Sequence, residues 1–160
     1  MRVGFGYDSH RLVRGRKLIL GGVEVPHHEG LFGHSDADVL IHAICDAILG
    51  AIAEGDIGMH FPDTDPAYAG IYSMNLLHRV GDLAEEKGFC IHNVDSTVIL
   101  EKPKLAGYIS EMIANIAHVL DISPDRVNVK AKTNEGMGLT GRNEGAVAFA
   151  VVSVVKKSRV

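Results

Sequence analysis

The apolar stretch Asp38-Val39-Leu40-Ile41-His42-Ala43-Ile44-Cys45-Asp46 does most to limit how this chain can fold. Wound as a helix, it sets Asp38, His42 and Asp46 on one face at i, i+4 and i+8. Near the start, Asp8-Ser9-His10 holds two ligand-type side chains two residues apart, which an extended strand sends from one face. A strand offering Asp and His, met by a helix offering His, makes a set of one oxygen and two nitrogens. That set suits Zn²⁺ with its fourth position open, the arrangement of catalytic sites. Gly4 and Gly6 flank a short strand that carries Asp8 to a sheet end, and His34-Ser35 stands at the entrance to the helix. Polar groups therefore converge from two segments on one place. A packing account stays open beside this: Asp8 closing the turn after the first strand, His10 an ordinary loop residue, and His42 a core histidine donating to a carbonyl.

The chain has 160 residues of mixed charge, which fits a single domain over residues 1–160 with a real core. A net charge of −4, with His neutral, speaks against nonspecific nucleic-acid binding. No apolar run approaches the ~20 residues of a membrane span. Met1-Arg2-Val3-Gly4 leads straight into a strand, so no secretory leader is expected. Cys45 and Cys90 stand alone in apolar contexts and read as buried, reduced thiols, with a cytoplasmic location.

Along the chain, Arg2–Tyr7 and Leu18–Val25 read as strands, the second bent or bulged at Gly21-Gly22. A helix from Ser35 or Asp36 runs to about Ala53. The stretch from His60 to Pro66 reads as a surface loop, a candidate lid. Ser73–Lys87 is a helix capped by Ser73 and ended at Gly88. Cys90–Leu100 and Val127–Thr133 are strands, with a helix at Lys104–Leu120 between them and a sharp turn through Asn134–Gly138. Gly145–Val155 is a buried strand. The order β-β-α-α-β-α-β-β predicts a one-domain α/β or α+β fold, a mixed sheet with helices packed on one face.

Five motifs now stand in order: Gly6-Tyr7-Asp8-Ser9-His10, Gly33-His34-Ser35-Asp36-Ala37-Asp38, Gly55-Asp56-Ile57-Gly58, Phe61-Pro62-Asp63-Thr64-Asp65 and Leu139-Thr140-Gly141-Arg142. With them the chain, from Met1 to about Val155, resembles the 2-C-methyl-D-erythritol 2,4-cyclodiphosphate synthases, the ring-closing enzymes of the non-mevalonate isoprenoid pathway. The resemblance implies an intramolecular phosphoryl transfer, in which the 2-phosphate of a cytidine-diphosphate methylerythritol attacks the β-phosphorus and expels CMP. The substrate brings its own nucleophile, so positioning and charge neutralisation carry the catalysis and no nucleophile–base pair is expected.

Carried onto these positions, the resemblance makes Asp8, His10 and His42 the Zn²⁺ ligands and Glu135 the ligand of a second ion, Mg²⁺ or Mn²⁺. His34 and Thr133 become catalytic, Ser35 and the amides at the helix start an anion site, although a plain N-cap also explains Ser35. Asp36, Asp38 and Asp46 orient ligands or serve the helix start, with a solvated or capping role open for Asp36. Asp56, Ile57 and Gly58 would hold the cytidine ribose, and Leu100, Pro103, Lys104, Leu105 and Ala106 would frame the cytosine. Phe61, Asp63 and Asp65 would lie over the methylerythritol group, where simple turn chemistry is the alternative. The implied assembly is a homotrimer with active sites between subunits. Its threefold axis would carry an apolar cavity able to hold an isoprenoid diphosphate over Arg142 and Glu144, which otherwise read as a surface or interface pair.

Lys132 stands where many members carry threonine, either reaching the diphosphate or leaving that contact to the backbone. Leu139 and Tyr7 replace common phenylalanines at positions expected in the apolar interior or an interface. His27, His28, His60, His78, His92 and His118 read as surface or packing residues. Two rival functions remain: a zinc phosphodiesterase that activates water on the same triad, and a non-catalytic module binding isoprenoid diphosphates.

Overall fold

Two glycines decide how closely the first strand meets the first helix. A Cβ at Gly4 would fall 1.9 Å from the Ala47 carbonyl oxygen, and one at Gly6 would fall 1.9 Å from that of Ala43. Only glycine permits this approach. The computed structural model describes residues 1–157, so the last three residues of the expected 1–160 domain lie outside the described residues.

The elements in chain order are β1 (Arg2–Arg14), β2 (Leu18–Leu20), β3 (Val23–Val25), β4 (Glu29–Leu31), α1 (Val39–Ile52), α2 (Ile57–His60), α3 (Ser73–Glu86), β5 (Phe89–Ile99), α4 (Ile109–Val119), β6 (Val127–Lys132), α5 (Gly138–Gly141) and β7 (Gly145–Lys156). Five strands form one mixed sheet in the order β4-β1-β7-β5-β6. β7 runs antiparallel to both β1 and β5, while β5 and β6 are parallel. α1 packs on β1, β7 and β5, with α3 and α4 beside it on β5 and β6. The expected mixed sheet with helices on one face is thus the observed one. α1 is buried nearly all round, with Leu40, Ile41, Ile44, Ile48 and Leu49 fully enclosed, which explains why its apolar run has so little polar relief.

Among the described residues, no helix covers the sheet's other face. There Val3, Phe5, Tyr7 and Val151 are 59, 63, 48 and 43% exposed. The Phe149 ring lies 6.2 Å from that of Phe5 and 5.3 Å from that of Tyr7.

Several local expectations change. β1 extends to Arg14, because its far end pairs with a strand not foreseen, β4, through Leu12↔Leu31. Leu18–Val25 is a hairpin of two short strands rather than one bent strand; Gly21 and Gly22 both adopt positive φ and form its turn. α1 starts at Val39, with Asp38 as N-cap accepting from the Ile41 amide. α3 is entered from Tyr72, and Ser73 is its first residue, not its cap. α4 begins at Ile109; residues 101–108 are turns and coil around a cis Lys102–Pro103 bond. The His60–Pro66 loop is flanked by α2 and a single 3₁₀ turn at Pro66–Tyr68. Cys45 is buried as expected, but Cys90 is exposed, since it alternates outward between buried Phe89 and Ile91. Leu139 is 46% exposed, on the surface of this chain.

Candidate active site

β1 alternates toward α1 as Gly4, Gly6, Asp8, His10. The two small residues let the helix close in, and the next two then present side chains to its first turns. His42 sits there, one turn past the Asp38 cap. Asp8 Oδ2 lies 2.9 Å from His10 Nε2 and 2.9 Å from His42 Nδ1, and the two nitrogens are 3.2 Å apart. His10 Nδ1 is 2.7 Å from the Phe32 carbonyl oxygen. A carbonyl only accepts, so Nδ1 carries a proton, and Nε2 is the nitrogen left to share a proton with Asp8 or to offer its lone pair to a metal. One oxygen and two nitrogens thus converge as a group that could hold a metal ion, with donor types suited to zinc. Burial works against the Asp8 charge, but the contacts of its carboxylate with the His10 and His42 rings prevail and hold its carboxyl at about 2. Burial likewise opposes the His10 charge, and the Asp8 carboxylate outweighs it and raises the His10 pKa.

This group forms one wall of a cavity of about 590 Å³. His34, Ser35, Ile57, Gly58, Phe61 and Asp63 also line it, together with Asp46 and four residues the sequence reading did not single out: Phe32, Tyr68, Ile71 and Leu76. Arg16, also unforeseen, braces the His34-Ser35 loop by donating to the carbonyls of Gly33 (2.9 Å) and Ser35 (2.6 Å). The Phe61 and Tyr68 rings meet edge to face at 5.4 Å.

The aspartates divide by partner. Asp38 is fully buried and accepts from the amides of Gly21 (3.0 Å), Gly22 (2.8 Å) and Ile41 (3.2 Å), tying the β2–β3 turn to the α1 start. Burial is the largest influence on it and pushes its carboxyl up to about 6. Asp46 accepts from the Ile57 amide at 2.8 Å and anchors the turn that carries Ile57 and Gly58. Asp36 is half-buried and is not the α1 N-cap, although it accepts from the Asp38 amide at 3.2 Å just before the helix; it also accepts from the Ser73 amide at 2.9 Å and from the Ser73 hydroxyl. Asp56 caps α2 through the Met59 amide at 3.0 Å, and Asp65 caps the 3₁₀ turn through Ala67 at 2.9 Å.

Ser73 is the residue that sequence reasoning placed wrongly. Its Oγ is 2.9 Å from His42 Nε2, so Ser73, His42 and Asp8 stand in the order of a nucleophile, base and orienting carboxylate, a pairing not expected from the sequence. Ser73 is 0% exposed and its hydroxyl donates to Asp36, which keeps that oxygen from any ligand. A serine at a helix start ordinarily reads as a cap, and nothing in the sequence announces a partner 31 residues away.

The remaining expected residues do not line this cavity. Leu100 and Leu105 are buried in the core, and Pro103, Lys104 and Ala106 lie in the coil after β5. Thr133 donates to Glu135 at 2.7 Å, and Glu135 holds a positive φ of 52° in the turn before α5. Arg142 pairs with Glu144 at 2.6 Å, both exposed, and Lys132 is exposed at the end of β6. His27, His28 and Glu29 gather ligand atoms within 4.8 Å of one another, a grouping their adjacency had not suggested.

The family model described as the YgbB family matches residues 1–155. The 2-C-methyl-D-erythritol 2,4-cyclodiphosphate synthase of Syntrophus aciditrophicus (strain SB) is 63% identical over 154 residues, which is 96% of this chain and 97% of that one. Among solved structures, the bifunctional IspDF from Campylobacter jejuni superposes with a TM-score of 0.93 at 42% identity over 97% of this chain; this chain spans 42% of that protein. A 2C-methyl-D-erythritol-2,4-cyclodiphosphate synthase in its CDP-bound form superposes with a TM-score of 0.89 at 36% identity, covering 96% of this chain and all (100%) of that one.

Proposed function

The chain belongs to the YgbB family, that of the 2-C-methyl-D-erythritol 2,4-cyclodiphosphate synthases, and from that premise we propose that its cavity folds 4-diphosphocytidyl-2-C-methyl-D-erythritol 2-phosphate for attack upon itself. A 2-phosphate oxygen bonds to the β-phosphorus. The bond from that phosphorus to the oxygen bridging the α- and β-phosphates breaks, and CMP leaves with the electron pair. The product is 2-C-methyl-D-erythritol 2,4-cyclodiphosphate, a precursor in the non-mevalonate isoprenoid route. The observation that carries this reading is the convergence of Asp8, His10 and His42 at 2.9–3.2 Å on the wall of the cavity.

Asp8, His10 and His42 would hold Zn²⁺, and Glu135 would hold Mg²⁺ or Mn²⁺ with the substrate diphosphate; these ions supply positive charge for the phosphate oxygens when bound. His34 and Ser35 receive the methylerythritol phosphate. Ser35 Oγ already accepts the Ala37 amide at 3.0 Å, so its hydroxyl proton is available to a phosphate oxygen. Phe61, Asp63 and Asp65 cover the methylerythritol carbons and exclude water, which turns the electrophile toward the internal phosphate rather than hydrolysis. Asp56, Ile57 and Gly58 orient the ribose. Leu100, Pro103, Lys104, Leu105 and Ala106 frame the cytosine, and Lys132, Thr133 and Leu139 approach the diphosphate.

These last groups leave one chain's cavity half-lined, which supports a homotrimer whose sites lie between subunits. The uncovered Phe5, Tyr7 and Phe149 face supports the same assembly, since patches of this kind mark interfaces. The Arg142–Glu144 pair would then stand at the threefold axis, beside an apolar cavity able to take an isoprenoid diphosphate. The whole chain, 1–160, acts as one synthase domain in this proposal, in the cytoplasm, where Cys45 and Cys90 stay as free thiols. No helix among the described residues is long and apolar enough to cross a membrane.

The test is to incubate the protein with the cytidine-diphosphate substrate, Zn²⁺ and Mg²⁺ and identify products by phosphorus NMR. A cyclic diphosphate plus CMP supports the reading. An opened monophosphate would mean a phosphodiesterase that activates water, and unchanged substrate would leave a binding module.

A further inference from the structure

We propose that Ser73 and Asp36 form a hydrogen-bonded relay that holds the His42 proton on Nε2 and leaves Nδ1 bare toward the metal group, making both of them positioning residues. The inference rests on the reading of Asp8, His10 and His42 as metal ligands.

The two histidines are oriented by unlike partners. His10 Nδ1 meets the Phe32 carbonyl at 2.7 Å, which can only accept, so its tautomer is settled at once. His42 Nε2 meets two hydroxyls, Ser73 Oγ at 2.9 Å and Ser35 Oγ at 3.2 Å. A hydroxyl can donate or accept, so neither contact by itself decides where the His42 proton sits. On the opposite edge of the ring, Asp8 Oδ2 lies 2.9 Å from Nδ1 and draws the proton there, onto the nitrogen a metal needs bare.

Asp36 resolves this competition. Its carboxylate accepts the Ser73 hydroxyl through Oδ1 and the Ser73 amide through Oδ2 at 2.9 Å, gripping one residue at both polar groups. A carboxylate has no proton to give, so the hydroxyl proton of Ser73 is committed to Asp36. Ser73 Oγ is left as an acceptor aimed at Nε2, which then carries its proton and turns the Nδ1 lone pair toward Asp8 and His10. Ser73 is 0% exposed, so no water competes for the hydroxyl. The charged end of the chain polarises each bond in turn and makes His42 a stronger donor. The relay joins three segments: the loop before α1, the first turn of α1 and the first residue of α3.

The experiment measures Zn²⁺ affinity by competition with a chromophoric chelator for the full chain and for Ser73→Ala, Asp36→Asn and the double variant. Each single change is expected to weaken binding about ten- to a hundredfold. Asn offers one acceptor oxygen where the carboxylate offers two, so one end of the grip is lost. Because both changes break one relay, the double variant should bind no more weakly than Ser73→Ala alone. A purely structural role would give losses that add, and additive losses overturn the proposal, as does wild-type affinity in both single variants. The zinc-loaded wild-type protein gives a reading that needs no variant to fold. Its His42 Nε2–H should appear in proton–nitrogen NMR as a slowly exchanging, downfield imidazole proton, and a proton exchanging as fast as that of a free histidine would overturn the relay. Absence of Zn²⁺ binding by the wild-type chain would instead overturn the metal reading beneath it.

Discussion

At the α1 end of the cavity the polar side chains are held by distant parts of the chain; in the turn from Thr133 to Glu144, Thr133 and Arg142 are held by carboxylates of that same turn. That turn's one tie to a distant side chain among the described residues is the Asn134 amide donating to Glu101 at 3.1 Å. His42 reaches Asp8, 34 residues away, and Ser73 reaches Asp36, 37 residues away. Thr133 and Arg142 each bond a carboxylate only two residues on, Glu135 and Glu144. Contacts across the fold fix a side chain by packing several elements at once, whereas contacts within a turn are made and broken with that turn. The first region is therefore organised before any ligand arrives. The second offers its groups to something outside this chain, in our proposal the substrate diphosphate and a neighbouring subunit.

The sharpest way to break that contrast is to remove a donor from the organised end. His42→Ala should lose bound zinc and ring-closing activity together, with Asp8→Ala and His10→Ala behaving alike. The Lewis-acid contribution at stake is several kcal/mol, so turnover should fall by about a thousandfold or more. Full zinc occupancy in all three purified variants, by elemental analysis, would sink the assignment.

How much of this was legible in the sequence follows the same division. The i, i+2 spacing of Asp8 and His10 and the helical placement of His42 expressed local geometry, and β1 and α1 deliver both. From the sequence, Gly4 and Gly6 only flank a short strand; that they let the α1 carbonyls of Ala47 and Ala43 close in emerges from the fold. The partners of Ser73, Asp36 and Asp38 could not be read, because each bonds across 16 or more residues and carries an equally good local explanation as a cap. α4 was begun too early: Lys104–Tyr108, which contains Gly107, is coil and turn with Leu105 buried, and the helix starts at Ile109. Cys90 failed by register alone, since one position along a strand reverses its face.

The organised end should also be the pH-sensitive one. Asp38 is charged only against burial, with its folded pKa at about 6 against 3.8 for the ordinary group. Between those values the folded state holds the extra proton, so stability falls as pH rises from about 4 to 6 and then levels, by about 3 kcal/mol. Asp8 acts in the opposite sense and lower: its folded pKa of about 2 makes stability rise between about pH 2 and 4. Urea midpoints of the metal-free protein from pH 3.5 to 7, compared with those of Asp38→Asn, isolate the Asp38 contribution. A difference that stays flat across pH 4–6 would show that this carboxyl is not the buried, penalised group described above.

On the other side of the comparison, Glu135→Gln should leave zinc content unchanged while blunting the response of turnover to added Mg²⁺, by about a hundredfold at low Mg²⁺. Leaving-group charge would otherwise develop on the diphosphate without its counter-ion. Glu135 makes its one side-chain hydrogen bond to Thr133, in an exposed turn, so folding stability should scarcely move. A wild-type Mg²⁺ titration in this variant would detach Glu135 from the second ion.

Asp56 tests where the boundary between the two regions falls. It caps α2 with one carboxylate oxygen, at 3.0 Å from the Met59 amide, beside Ile57 and Gly58, which line the cavity. A carboxylate has acceptor capacity beyond a single amide, so the same side chain can keep its turn and still receive a ribose hydroxyl. The ribose does not change during ring closure, so a bond to it stabilises ground state and transition state alike. Asp56→Ala should then raise KM about ten- to a hundredfold, the worth of a charge-assisted hydrogen bond of roughly 1.5–3 kcal/mol, with kcat changed little. Loss of the α2 cap predicts a second effect of about 1 kcal/mol on stability, and Asp56→Asn separates the two. Asparagine is as good an N-cap as aspartate, so it should restore the melting temperature while leaving KM raised. If kcat collapsed at constant KM, Asp56 would act on the reacting phosphorus, and the organised end of the site would extend into the turn after α1.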